Sequence, residues 1–116
     1  MKISTIQKLL DADILCGADK FDRDVHSACG SDMMSDVLAY VKDQAVLLTG
    51  LVNLQVIRTA EMMDMICIVF VRSKRPTLDM IEAAEDSGIT LLATDRRMYE
   101  ACGTLYLNGL DGKKYE

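Results

Sequence analysis

Apolar positions along the chain fall first at helical spacing and then into short runs that alternate with amphipathic stretches. Ser4 and Gln7 have the spacing of a capping box, in which the two side chains satisfy free backbone N–H groups of the first turn. Ile6, Leu9 and Leu10 follow on one helical face, and Asp11-Ala12-Asp13 ends this short helix. Ile14-Leu15-Cys16 before Gly17 reads as a short strand, and Val25 to Cys29 as a second extended piece. Met34, Val37, Leu38 and Val41 recur as a helix packed on one side requires, with Ser31 or Asp32 placed to cap it.

From Ala45 the alternation becomes regular. Ala45 to Thr49 is a strand; a helix capped near Asn53 follows, with Val56, Ile57, Ala60 and Met63 inward. Met65 to Val71 is a continuous apolar run, as a strand covered on both faces requires. The next helix starts after Pro76, with Thr77 as cap, Leu78, Ile81 and Ala84 inward, and Gly88 as its stop. Thr90 to Ala93 is another strand. Thr94 or Asp95 then caps a last helix that turns Met98, Cys102 and Leu105 inward and ends at Asn108-Gly109. Three consecutive strand–helix units predict a mainly parallel sheet with right-handed crossovers. The expected fold class is α/β: a small three-layer domain over residues 1–110 with a short N-terminal helix/strand extension, and a polar tail over 111–116.

Composition narrows the picture. A chain of 116 residues that is 50% apolar can bury a real core, which argues against disorder. Its net charge of −5 excludes the basic face that duplex binding needs, so no nucleic-acid partner is expected. Cys16, Cys29, Cys67 and Cys102 form no CxxC pair and read as buried, reduced thiols. The chain opens without a basic-then-apolar leader, and Met65 to Val71 is far short of the ~20 residues that span a bilayer. A cytoplasmic protein with no membrane partner is expected.

Catalytic parts are thin. His26 is the only histidine, and its neighbours Ser27 and Cys29 do not make a dyad, because adjacent strand residues point to opposite faces. Asp19, Asp22 and Asp24 lack the glycine and distal glutamate of a calcium loop and read as a solvated turn. The segment from Gly109 to Lys114 has the wrong spacing for a phosphate loop and no helix after it. No catalytic residue, metal ligand or cofactor is assigned, and the protein reads as a non-enzyme. Most methionines fall at core spacing. Met33 and Met62 do not, and mark a candidate patch for a partner protein.

Ligands of open α/β sheets sit beyond the carboxyl ends of the strands. Those ends are Thr49-Gly50 before Asn53, Arg72-Ser73-Lys74-Arg75, and Thr94-Asp95-Arg96-Arg97. Five cations thus gather at one edge of an acidic chain, beside helix N-termini with free N–H donors. The expected ligand is an anion, a nucleotide phosphate or a carboxylate metabolite.

Several pieces in order carry a resemblance: Asp22-Arg23, Ser31-Asp32, Ser35-Asp36-Val37, the strand Ile66 to Val71 followed by Pro76, and Gly88 to Leu92 with Thr94-Asp95. Over roughly Lys2 to Gly109 the chain resembles a stand-alone DRTGG domain, a family found also in phosphotransacetylases and beside cystathionine-β-synthase-type (CBS) domains in regulated pyrophosphatases. It is similar as well to the N-terminal domain of the HPr kinase/phosphorylase. Where the family has Thr-Gly-Gly, this chain has His26-Ser27-Ala28. The resemblance implies a regulatory or ligand-sensing module without catalysis, most simply a homodimer. The alternative is a protein-interaction or assembly subunit with no small ligand.

Overall fold

The computed structural model describes residues 1–40 and 44–112. Among these residues the sheet has five strands: β1 (Asp13–Cys16), β2 (Ser27–Gly30), β3 (Ala45–Thr49), β4 (Cys67–Phe70) and β5 (Thr90–Ala93), in the spatial order β1-β5-β4-β3-β2. β2 to β5 are parallel, and β1 pairs antiparallel with β5. The expected α/β architecture is present. The N-terminal extension goes further than its sequence declares, because its second extended piece is a fourth parallel strand, in register with β3 from Ser27↔Ala45 to Gly30↔Leu48.

Among the described residues five helices cover the sheet: α1 (Ile3–Leu10), α2 (Met34–Tyr40), α3 (Leu54–Met62), α4 (Leu78–Ser87) and α5 (Met98–Leu107). The strand pleat separates two cores. Val46, Leu48, Cys67, Val69 and Leu92 point to α1 and α5, where Ile3, Ile6, Leu10, Ala101 and Leu105 meet them. Leu47, Ile68, Phe70 and Leu91 point the other way, to Val37 of α2, Val56, Ile57 and Ala60 of α3, and Met80 and Ala84 of α4. Burial on both faces is why β3, β4 and β5 are apolar but for Thr49 and Thr90 at their ends.

Helix boundaries and faces depart from the sequence reading in five places. α1 begins at Ile3 with Lys2 as N-cap, so no Ser4–Gln7 capping box forms; the Gln7 amide donates to the Ala12 carbonyl at the other end, 2.8 Å away. In α2, Val37 is buried but Leu38 is exposed, and Val41 lies outside the described residues. Leu78, expected inward, is 77% exposed, because α4 buries Met80 and Ala84 instead. Asn53 is the N-cap of α3 by position only, and makes no side-chain cap bond. α5 takes Arg97 as N-cap, since Thr94 and Asp95 are drawn into other bonds. Thr77 and Gly88 do cap α4, through Thr77 Oγ1 accepting from Met80 N–H and through a left-handed Gly88 at φ 71°.

Candidate functional site

The parallel strands end on one rim, as the pairings Gly30↔Leu48, Thr49↔Phe70 and Phe70↔Ala93 require. The antiparallel β1 starts on that same rim, opposite Ala93, and so adds Asp13 to it. The exits therefore bring Asp32, Thr49, Gly50, Arg72, Ser73 and Thr94 to Arg96 together.

Asp32 is the hub of its β3–β4 side. Its Oδ1 accepts from the Gly50 N–H at 2.7 Å and from Thr49 Oγ1 at 3.0 Å, while Oδ2 accepts from Arg72 Nη2 at 3.2 Å. Gly50 N–H is the largest cause holding the Asp32 carboxyl below the usual carboxylate range, with the Thr49 hydroxyl and Arg72 adding to it. Asp32 does not serve as a helix cap, because its oxygens are turned to Gly50, Thr49 and Arg72; beside it, Met33 N–H donates to Ser31 Oγ at 3.0 Å. Thr49 is fully buried and its Oγ1 also accepts from Leu51 N–H at 3.1 Å, which fixes the hydroxyl toward Asp32.

Arg72 reaches this place through an unusual backbone. Arg72 and Ser73 sit at φ 59° and 61°, left-handed conformations that side chains with a Cβ rarely adopt. The strain is held by Arg72 N–H donating to the Arg96 carbonyl at 2.8 Å and Ser73 N–H to the Thr94 carbonyl at 3.1 Å. The guanidinium then fills the space beside Gly50, where a Cβ would stand 1.9 Å from Nη2.

On the β5 side, Ser73 Oγ donates to Asp95 Oδ1 at 2.8 Å, and Thr94 Oγ1 donates to the Leu10 carbonyl at 2.7 Å. Arg75 pairs with Asp13, and Arg96 lies 3.9 Å from Glu100 one helical turn on. Lys74 and Arg97 are exposed. A shallow depression of about 350 Å³ opens here between Leu10, Asp11, Thr94, Asp95, Arg96 and Glu100. The rim thus holds the cations the sequence gathers, and three of its guanidinium groups each face a carboxylate.

The motif residues of the resemblance divide between the two ends of the sheet. Arg23 Nη1 donates to the Gly88 carbonyl, just before β5 begins, at 3.1 Å; Asp22 lies 3.9 Å from Lys2. Ser31 and Asp32 are at the opposite rim, and Ser35 and Asp36 are exposed on α2. His26 stands at the strand-start end, its N–H donating to the Gln44 carbonyl at 3.0 Å, far along the sheet from the rim. Among the described residues no group of three or more His, Cys, Asp or Glu could hold a metal ion, and no helix is long and apolar enough to cross a membrane. All four cysteines are free: Cys67 is buried and the other three half-buried, and burial pushes every thiol up.

This architecture is that of a small α/β domain with a mostly parallel sheet. No family model matches the sequence, and no curated protein does. Among solved structures, the chain is similar to the regulatory region of Clostridium perfringens pyrophosphatase, made of CBS and DRTGG domains and complexed with the activator diadenosine tetraphosphate. The TM-score is 0.76 at 14% identity, over 97% of this chain. The chain spans 49%, about half, of that structure. The shared fold is what this likeness shows.

Proposed function

We propose that this chain is a non-catalytic regulatory module that senses an anionic metabolite, foremost an adenine nucleotide, at the rim where its parallel strands end. The observation that carries the reading is the convergence of the Gly50 N–H, the Thr49 hydroxyl and the Arg72 guanidinium on one carboxylate, a donor set suited equally to a phosphate oxygen. The fold is shared with a regulatory region that was solved with a nucleotide activator, which supports the same reading. The likeness to the N-terminal domain of the HPr kinase/phosphorylase rests on sequence alone, and no kinase activity is assigned.

Thermal melts with ATP, ADP, AMP and diadenosine tetraphosphate test the proposal. A ligand that binds only the folded state stabilises it by about 2.7 kcal/mol at a hundred times its Kd. In a domain of this size that is a rise of about 10 °C in Tm. Unchanged melts with all four nucleotides at millimolar concentration end the nucleotide reading.

A second reading, a protein-interaction subunit or homodimer, is favoured by the outer face of α5. Tyr99 and Leu107 there are 92% and 87% exposed, Tyr106 is exposed beside them, and Gly103 between them has open space at its Cβ position. Helical spacing puts these residues on one stripe. Sedimentation of the wild type against Tyr99→Ser/Leu107→Ser decides it: a wild-type monomer that captures no copy of itself removes the homodimer.

A further inference from the structure

We infer that Asp32 is a built-in competitor for the rim's anion seat, so that the seat turns away single carboxylates and yields only to polyanions such as phosphate groups. This rests on the anion-sensing reading above and names how that site is regulated. The Asp32 carboxylate now takes all three donors, Gly50 N–H, Thr49 Oγ1 and Arg72 Nη2, at 2.7 to 3.2 Å. It sits in the connection between β2 and α2, with its side chain 45% exposed, and Arg72 is 46% exposed.

Nothing else in the local fold calls for that carboxylate. The start of α2 is ordered without it, by Ser31 Oγ accepting from Met33 N–H and by the Met33 carbonyl accepting from Asp36 N–H, both at 3.0 Å. The ladder between β2 and β3 continues past Gly30 through Ser31 N–H donating to the Leu48 carbonyl at 3.0 Å. Asp32 is therefore a side chain whose bonds all go to the seat.

A tethered group competes at an effective concentration of order millimolar. A free monocarboxylate offers the same two oxygens and one charge, so below that level it loses. A phosphate group carries about −1.5 to −2 charge and three strong acceptor oxygens, enough for all three donors. Its second charge repels Asp32 and is met by Arg72, with exposed Lys74 two residues on. Displacing Asp32 leaves the Ser31–Met33 turn in place and puts a free carboxylate on the surface beside it, and that change is the signal a partner would read.

The test is calorimetric titration with sodium formate and with inorganic pyrophosphate. The proteins are the wild type, Asp32→Ala, Asp32→Asn and Asp32→Ala/Arg72→Ala. The wild type should ignore formate. Asp32→Ala should bind formate measurably and pyrophosphate at least about tenfold tighter than the wild type, and the added Arg72→Ala should erase the gain. Asp32→Asn keeps the acceptor for Gly50 and Thr49 but frees Arg72, so it should show a smaller gain while staying folded. If neither Asp32 variant binds either anion more tightly than the wild type, the competitor is refuted, even where the wild type still responds to nucleotides. If Asp32→Ala gains pyrophosphate binding while the wild type binds no nucleotide, the competitor stands and nucleotide sensing fails.

Discussion

Replacing Gly50 by Ala separates the rim's chemistry from the fold's stability. The new Cβ would stand 1.9, 2.7 and 2.9 Å from Nη2, Cζ and Nε of Arg72, so the guanidinium has to leave. Those atoms are the far end of a long, half-exposed side chain, and they move cheaply. The Gly50 backbone is not in the left-handed region, so alanine fits it without strain. Losing an exposed ion pair such as Arg72–Asp32 costs about 0.2–1 kcal/mol. Removing a glycine from the unfolded chain returns about 0.4–1 kcal/mol. The two nearly cancel, and Gly50→Ala should fall within about 1 kcal/mol of the wild type in urea unfolding. The same variant should lose most of its thermal response to nucleotides, because Arg72 is no longer at the seat. A loss above about 2 kcal/mol would mean that the guanidinium is fixed in place and that the rim is structural. An unchanged nucleotide response would remove Arg72 from the site.

Gly17→Ala is the contrast: φ is 81° and the Cβ would meet Thr90 Cα at 2.7 Å, so strain and a backbone clash should cost about 2–4 kcal/mol by urea unfolding. A neutral result there would contradict the close pairing of β1 with β5. Phe70→Ala, at the fully buried end of β4, should cost about 3–5 kcal/mol, whereas Leu78→Ala should stay within about 0.5 kcal/mol; equal costs would mean that α4 presents a different face. The carboxyl of Asp32 is more acidic when folded than when unfolded, so its contribution is complete above the ordinary aspartate value of about 3.9 and disappears as pH falls through the lower folded value. Asp32→Asn should therefore lose less stability than the wild type between about pH 5 and pH 2, and parallel acid profiles would remove that role. Thiol labelling under native conditions should leave Cys67 untouched until unfolding, and fast labelling there would contradict its place in the core.

Much of the fold can be read from the chain because β3, β4 and β5 are buried on both faces and are apolar but for Thr49 and Thr90 at their ends. The strand β2 is legible only as a short extended piece, and its place in the parallel sheet is not, for the opposite reason. Ser27, Ala28, Cys29 and Gly30 lie at a sheet edge and are small, so neither alternation nor an apolar run marks them. Leu78 misleads because it sits directly after the Thr77 cap, before α4 has completed the turn that faces the sheet. The rim follows from the strand ends, and Arg72, Thr94 and Arg96 sit together as those ends imply. Its electrostatics do not follow from counting cations. Asp13 arrives only because β1 runs antiparallel, and Asp32 leaves the cap role its spacing favours to meet Gly50 and Arg72. Gly50 at the end of an apolar strand was the one local sign of a close approach, and the residue that approaches is 22 positions away in sequence, beyond any local pattern.

Calorimetric titration of the wild type and of Arg72→Ala with ATP bears most directly on the rim as a sensing site. Saturable heat from the wild type, with an affinity at least about tenfold weaker once Arg72 is removed, is the outcome that follows from the geometry. Equal affinities in the two proteins, or no heat from either, would contradict it.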